Sequence, residues 1–240
     1  RAGAAYGAGR RRTHRSSVAV VPGQRAWTDE GDAAATPGGA PGAWRATDAA
    51  LLARCWGRAC TAGALTVVLT GDAGAGKTRL VRGLAERAEA DGGVVVAGAA
   101  VDVGEQLPLW PVATGLRRLL RAPDDAPAPV LAARAALAPW REELAPLIEP
   151  GPATAVPSGG HLLELVRRVL VGVAAEAPVL LVVDDLHWAD RTTRELLVSL
   201  VAHLGEERVL VVATARTDAL DPGHPLRRML PELARDRAVR

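Results

Sequence analysis

Eight residues, Gly71-Asp72-Ala73-Gly74-Ala75-Gly76-Lys77-Thr78, limit the possible folds of this chain more than any other stretch. They fit the spacing G-x-x-x-x-G-K-[ST]. Before them lies ALTVVLT (64–70), a short apolar run rich in β-branched residues that reads as a buried strand. After them comes TRLVRGLAERAEADGG, where Leu80, Val81, Leu84 and Ala88 recur on one helical face and a glycine pair ends the pattern. VVVAGA, from Val94, is the next strand. Strand, glycine loop, helix and strand in that order make a βαβ unit, which implies a parallel sheet. Lys77 is also the only lysine among 29 lysines and arginines. Where arginine is the default cation, a retained lysine suggests a specific need. A slender ammonium threads a narrow loop that a planar guanidinium fits poorly.

The rest of the chain divides at Trp44. Residues 1–43 contain GDAAATPGGAPGA and similar low-complexity sequence, so they are expected to be mostly disordered. Their basic run, Arg10, Arg11, Arg12 and Arg15, reads as a solvated tail, with nucleic-acid or membrane contact as the alternative. Residues 44–240 read as one domain. TDAALLARCWGRACTAG places Leu51, Leu52, Cys55 and Trp56 on one face of a helix, capped by Thr47 or Asp48 and stopped near Gly63. Residues 101–160 suggest short helices interrupted or bounded by Pro108, Pro111, Pro129, Pro139 and Pro146, then a flexible connection at EPGPATAVPSGG. HLLELVRRVLVGVAAEA is an amphipathic helix, PVLLVVDD a buried strand ending in two acids, and RVLVVATAR another buried strand. Between those strands Asp190, or the box formed by Thr192 and Glu195, caps a further helix, and HPLRRMLPELARD begins a last helical piece. The expected class is α/β: a three-layer sandwich with a mainly parallel central sheet flanked by helices.

Composition narrows the function classes. A formal net charge of +2 gives no field that would argue for nucleic acid or membrane as a partner. Cys55 and Cys60, five apart, match no zinc or redox spacing and read as reduced thiols of a cytoplasmic protein. The five histidines are scattered, so no metal site built from protein ligands alone is expected. No apolar run approaches the roughly 18 residues that cross a bilayer. The apolar part of the basic run plus SVAVV falls short of an export signal's core of roughly 7–15 residues. A first residue other than Met, with Met229 the sole methionine, leads us to expect a piece of a longer product.

The chemistry concentrates at three strand ends. In the phosphate-binding loop (P-loop) of residues 71–78, glycines let backbone N–H groups turn inward around phosphate oxygens, and the helix N-terminus adds partial positive charge. Lys77 would reach the β- and γ-phosphates, and the Thr78 hydroxyl would ligate Mg²⁺. Asp184 and Asp185 end a strand whose carboxyl edge is where ligands bind in open α/β folds. Asp184 would hold the ion and Asp185 would orient or deprotonate the attacking water. A pair of helix-capping acids is the bland alternative. Arg216, ending VVATAR beside Thr214, would sense or neutralise the γ-phosphate, unless it is a solvated surface arginine. For His187 and Trp188, core packing and hydrogen bonding of the turn are as good an account as catalysis.

Together GDAGAGKTRL, PVLLVVDDLHWAD and VLVVATAR resemble the nucleotide-binding domain of AAA+-like STAND ATPases, especially those of large LuxR-type transcriptional regulators of actinobacteria. The resemblance runs from about residue 44 to the end. It implies ATP and ADP as ligands with Mg²⁺, a slow ATPase acting as a switch, and residues 71–79, Arg79 included, as nucleotide contacts. It implies that ADP holds a closed state, that ATP opens it, and that hydrolysis resets the cycle. It further implies regulatory and DNA-binding domains beyond this sequence, no direct DNA contact from this part, and nucleotide-dependent self-association. The family's Val-Gly-Arg-x-x-Glu box near adenine corresponds here to Ala43-Trp44-Arg45-Ala46-Thr47-Asp48, which implies Arg45 and Asp48 as the residues that could serve at the adenine site, with Trp in place of Gly. An ABC-type ATPase is the rival, since PSGGH (157–161) precedes a helix and a DD-ended strand. Pro157, His161, Asp185 in place of Glu, and TAR in place of a switch histidine count against it. A GTPase needs an Asn-Lys-x-Asp motif and hence a second lysine. A small-molecule kinase and a nucleotide-binding scaffold without turnover complete the alternatives.

Overall fold

The computed structural model describes residues 16–22, 46–102, 108–149, 159–221 and 223–229. Helix α1 (Ala46–Ala62) leads into strand β2 (Leu65–Gly71), which follows an N-terminal strand β1 (Ser16–Pro22) in chain order. Then come α2 (Lys77–Ala90), β3 (Val94–Ala99), α3 (Trp110–Leu120), α4 (Ala128–Ala136) and α5 (Arg141–Ile148). The chain closes the fold with α6 (Gly159–Glu176), β4 (Val179–Asp184), α7 (Arg191–His203) and β5 (Val209–Arg216). The sheet order is β1-β2-β5-β4-β3, with β2, β5, β4 and β3 parallel and β1 antiparallel on the outer edge of β2. It is the expected α/β class. The two strands of the βαβ unit, β2 and β3, are not neighbours, because β5 and β4 insert between them.

The sheet is buried on both faces, and alternation along each strand sorts side chains between two cores. Leu65, Val67 and Leu69 of β2, Leu180 and Val182 of β4, and Leu210 and Val212 of β5 pack with α1 and α2 through Leu52, Trp56, Val81 and Leu84. On the other face Val94 and Val96, Leu181 and Val183, and Val211 and Ala213 meet the helices α3 to α7. Each buried Val or Leu contributes about 1.5–3 kcal/mol relative to exposure, so this two-sided burial is what fixes the strand register. Helix α3 lies especially close to β3. A Cβ on Gly115 would stand 2.7 Å from Val96 Cγ1 and 2.8 Å from the Ala97 nitrogen.

Several local expectations are decided by these elements. Pro111, Pro129 and Pro139 stand at helix beginnings, where a missing N–H has no partner to lose, whereas Pro146 lies inside α5. Asp190 caps α7 by accepting from the Thr193 N–H at 3.0 Å, and its other oxygen accepts from the Leu109 N–H at 3.3 Å. Gly159 and Gly160, expected in a flexible connection, instead open α6. The burial of Leu162, Leu165 and Val166 one turn later carries the helix back over them. The segment expected to be mostly disordered supplies β1, whose seven residues pair with the otherwise open edge of β2. The basic run of residues 10–15, most of the 149–160 connection and the end of the last helical piece lie outside the described residues. Among the described residues no helix is long and apolar enough to cross a membrane.

Candidate functional site

Parallel strands end on the same edge, and here the carboxyl ends of β2, β5 and β4 lie side by side. Register pairs Gly71 with Arg216, and Val183 with Ala213, so Thr214 falls beside Asp184. Residues more than a hundred apart in sequence thus converge on one rim.

The loop between β2 and α2 is shaped by glycine. Gly74 and Gly76 adopt φ of 74° and 92°, a region closed to most side chains. A Cβ at Gly74 would meet nothing within 4 Å, so backbone conformation rather than space calls for glycine there. Gly76 caps α2 without a side-chain hydrogen bond, and the first N–H groups of a helix have no acceptor within it. That leaves a concave run of donors at the positive end of the helix dipole. Lys77 is 6% exposed and folds back under the loop, donating to the Gly71 carbonyl at 2.7 Å and the Asp72 carbonyl at 3.0 Å. An ammonium has three donors, so one remains for a ligand oxygen. Burial lowers the pKa of Lys77, against the opposing pull of Asp185, Asp218 and Asp184.

Thr78, in the first turn of α2, donates through its Oγ1 to Asp184 Oδ2 at 3.0 Å. The other oxygen, Oδ1, accepts from the hydroxyl of Thr214, and that hydroxyl accepts in turn from the Asp185 N–H at 3.0 Å. Thr214 is fully buried. One hydroxyl therefore fixes both acids, the first through its carboxylate and the second through its backbone. Asp185 itself is left-handed at φ 55°, a conformation that costs an L-residue about 1–2 kcal/mol. It turns the chain into a 3-10 turn, Leu186–Trp188, and leaves its carboxylate 41% exposed. Thr217, one residue past β5, donates through its hydroxyl to Asp72 and through its N–H to the Gly71 carbonyl at 3.2 Å. The β5 end is thereby tied to the loop.

Of the residues singled out in the sequence, Gly71 to Thr78 with Asp184 and Asp185 gather at this rim, and Arg216 stands opposite Gly71. The Arg216 guanidinium pairs with Asp218 at 2.8 and 3.2 Å, which holds the Asp218 pKa down at about 2. Arg79 is exposed on the first turn of α2, and Arg45 lies outside the described residues. Thr217 and the depth of His187 were not singled out, and Thr214 was noted without a role. A hydroxyl inside the apolar run VLVVATAR was the one available signal for Thr214. The donor set that Thr78 and Asp184 present, hydroxyl and carboxylate oxygen, suits a hard divalent cation such as Mg²⁺ when phosphate oxygens and water complete the shell.

Residues 43–212 match the protein family described as AAA ATPase domain. The chain is also similar to an uncharacterized protein of Rhizobium meliloti (strain 1021), at 27% identity over 188 residues that cover 71% of this chain and 18% of that relative. It thus spans less than a fifth of the length of the curated relative it matches.

Proposed function

The chain belongs to the AAA ATPase domain family, and from that premise we propose that it is the ATP-driven switch of a signal-responsive transcriptional regulator of the LuxR type. AAA ATPase domains bind ATP with Mg²⁺ and hydrolyse it; the regulator setting is the further step. In this reading residues 71–79 hold the phosphates, Arg45 contacts adenine, and residues 44–240 act as one nucleotide-binding domain. What carries the reading is the meeting of Thr78 Oγ1 with Asp184 Oδ2 at 3.0 Å, beside a buried Lys77 with a donor to spare.

Lys77 donates to the β,γ-phosphate oxygens while its two carbonyl bonds hold it in line. Thr78 and Asp184 hold Mg²⁺, which supplies positive charge to the phosphate oxygens when bound. Asp185 orients the attacking water and takes its proton. The water oxygen bonds to the γ-phosphorus as the bond to the β–γ bridging oxygen breaks, releasing ADP and phosphate. Arg216, released from Asp218, meets the charge that gathers on the γ-phosphoryl oxygens. Thr217, bonded to Asp72, passes that movement to the loop and onward to regulatory and DNA-binding domains in the longer protein. The same change alters self-association, and the assembly works in the cytoplasm.

The test is phosphate release from ATP with Mg²⁺ alongside fluorescent nucleotide binding. The wild-type chain should turn over slowly, Lys77→Ala should lose binding, and Asp185→Asn should bind while losing about a hundredfold or more in kcat. Binding with no turnover above Asp185→Asn would leave a nucleotide-dependent scaffold instead. A helix-turn-helix encoded downstream in the same reading frame would support the regulator; a cyclase or kinase module would redirect it.

A further inference from the structure

Both ring nitrogens of His187 lack a hydrogen-bond partner among the described residues, although its side chain is only 1% exposed. Leaving a buried polar atom unpaired costs about 1–3 kcal/mol, so a ring with two of them calls for a reason beyond packing. A tilted contact with Trp188, centroids 5.0 Å and ring planes 43° apart, accounts for part of the ring's apolar surface but not for its nitrogens. The Asp185 carboxylate faces the ring: its Oδ1 lies 3.9 Å from Nδ1, too far for a hydrogen bond and close enough for a small rotation to make one.

The backbone of this turn is tied at several points. The Asp185 N–H is held by Thr214, the Trp188 N–H donates to the Asp185 carbonyl at 2.8 Å, and the Ala189 N–H donates to the Leu186 carbonyl at 3.0 Å. The His187 carbonyl is also engaged, by His224 Nε2 at 3.2 Å. The His224 Nδ1 accepts from the Leu226 N–H at 3.2 Å, so Nε2 carries the proton and is the donor. The backbone of residues 185–189 is thus pinned from β5 and from the segment after it. The Asp185 carboxylate, partly exposed, is the movable piece. Burial, chiefly, pushes the His187 pKa below 6.5, with Arg216, Lys77 and His224 acting the same way against Asp185. Near neutral pH the ring therefore carries one N–H to give.

Resting on the hydrolysis reading above, we infer that His187 is a positioning residue for Asp185: its Nδ1–H closes on Oδ1 as the carboxylate turns toward the attacking water. One oxygen is then held and the other is left to the water. The movement needed is about 1 Å, the difference between the present separation and an ordinary hydrogen bond.

The full chain with ATP and Mg²⁺ tests this through three variants. His187→Asn keeps an amide N–H near the Nδ1 position, His187→Gln moves it toward Nε2, and His187→Ala removes it. His187→Asn should keep turnover within about threefold, while His187→Gln and His187→Ala should lower kcat by about tenfold or more with ADP affinity and KM unchanged. In an Asp185→Asn background none of them should lower turnover further. Independently of turnover, ¹⁵N spectra, assigned by the signal lost in His187→Gln, should show a neutral ring protonated at Nδ1 that shifts in Asp185→Asn. Equal turnover in the Asn and Gln variants, an effect on KM alone, or a ring protonated at Nε2 would overturn the inference. Should His187→Ala fail to fold, the Asn and Gln pair and the spectrum still decide. Absence of Lys77-dependent turnover would sink the hydrolysis reading and this inference with it. Lys77-dependent turnover indifferent to His187→Gln would sink this inference alone.

Discussion

In the proposed reading Lys77 is one residue that serves a ligand at the expense of the fold. Its ammonium is buried under the loop, and burial lowers its pKa below the ordinary 10.5. If the ammonium holds phosphate as proposed, affinity should hold at neutral pH and fade as pH rises through that lowered value. Stability should run the other way: between the folded and unfolded pKa values the unfolded chain binds more protons, so unfolding free energy rises with pH across that window. Titrating ADP from about pH 7 to about pH 10, with urea melts at the same pH values, checks both signs. Opposite trends are expected in the wild-type chain, and neither should be seen in Lys77→Ala. Thr214 makes the complementary point. It contributes no charge, yet its single buried hydroxyl sets where one acid points and how the other's backbone turns.

Helix α3 rides on β3 because Gly115 lets two backbones approach. Gly115→Ala would put a methyl against Val96 and the Ala97 nitrogen, and overpacking of this kind costs about 1–3 kcal/mol. Urea denaturation should show that loss as a lower midpoint with an unchanged slope. The elements themselves were largely legible in the sequence. β2, α2, β4 and β5 carry strong periodicity or unbroken apolar runs, and burial from both sides agrees with those patterns. Less legible was whatever depends on which strands are neighbours. The Asp184 to Thr214 clasp exists because β5 lies beside β4, and no local pattern records that adjacency. The same limit hid the isolation of His187, since both of its nitrogens look ordinary in the sequence LHW. SVAVV read as too short to be an export signal, and only the unpaired edge of β2 gave it a partner. Asp190 is one of two caps the sequence allows, and its bond from the Thr193 N–H decides between them, while the bond its other oxygen accepts from Leu109 crosses 81 residues and is invisible to any local pattern.

Among the described residues, the glycine loop, the two acids and Arg216 share one rim while both faces of the sheet are packed. A ligand that bridges the β2 loop and the β4 acids should therefore stabilise the entire domain rather than a local loop. At about a hundred times its Kd, Mg²⁺·ADP should add about 2.7 kcal/mol, a rise of several degrees in Tm for a domain of this size. Differential scanning fluorimetry should show that rise for the wild-type chain and none for Lys77→Ala. The two halves of the rim communicate through β5, which pairs with β2 on one side and β4 on the other. If that middle strand slid by a single position, Arg216 would leave Gly71 and Thr214 would leave Asp184 in the same stroke. Partial misalignment is thus unavailable to this architecture: the geometry of its rim is assembled in one piece or lost in one piece.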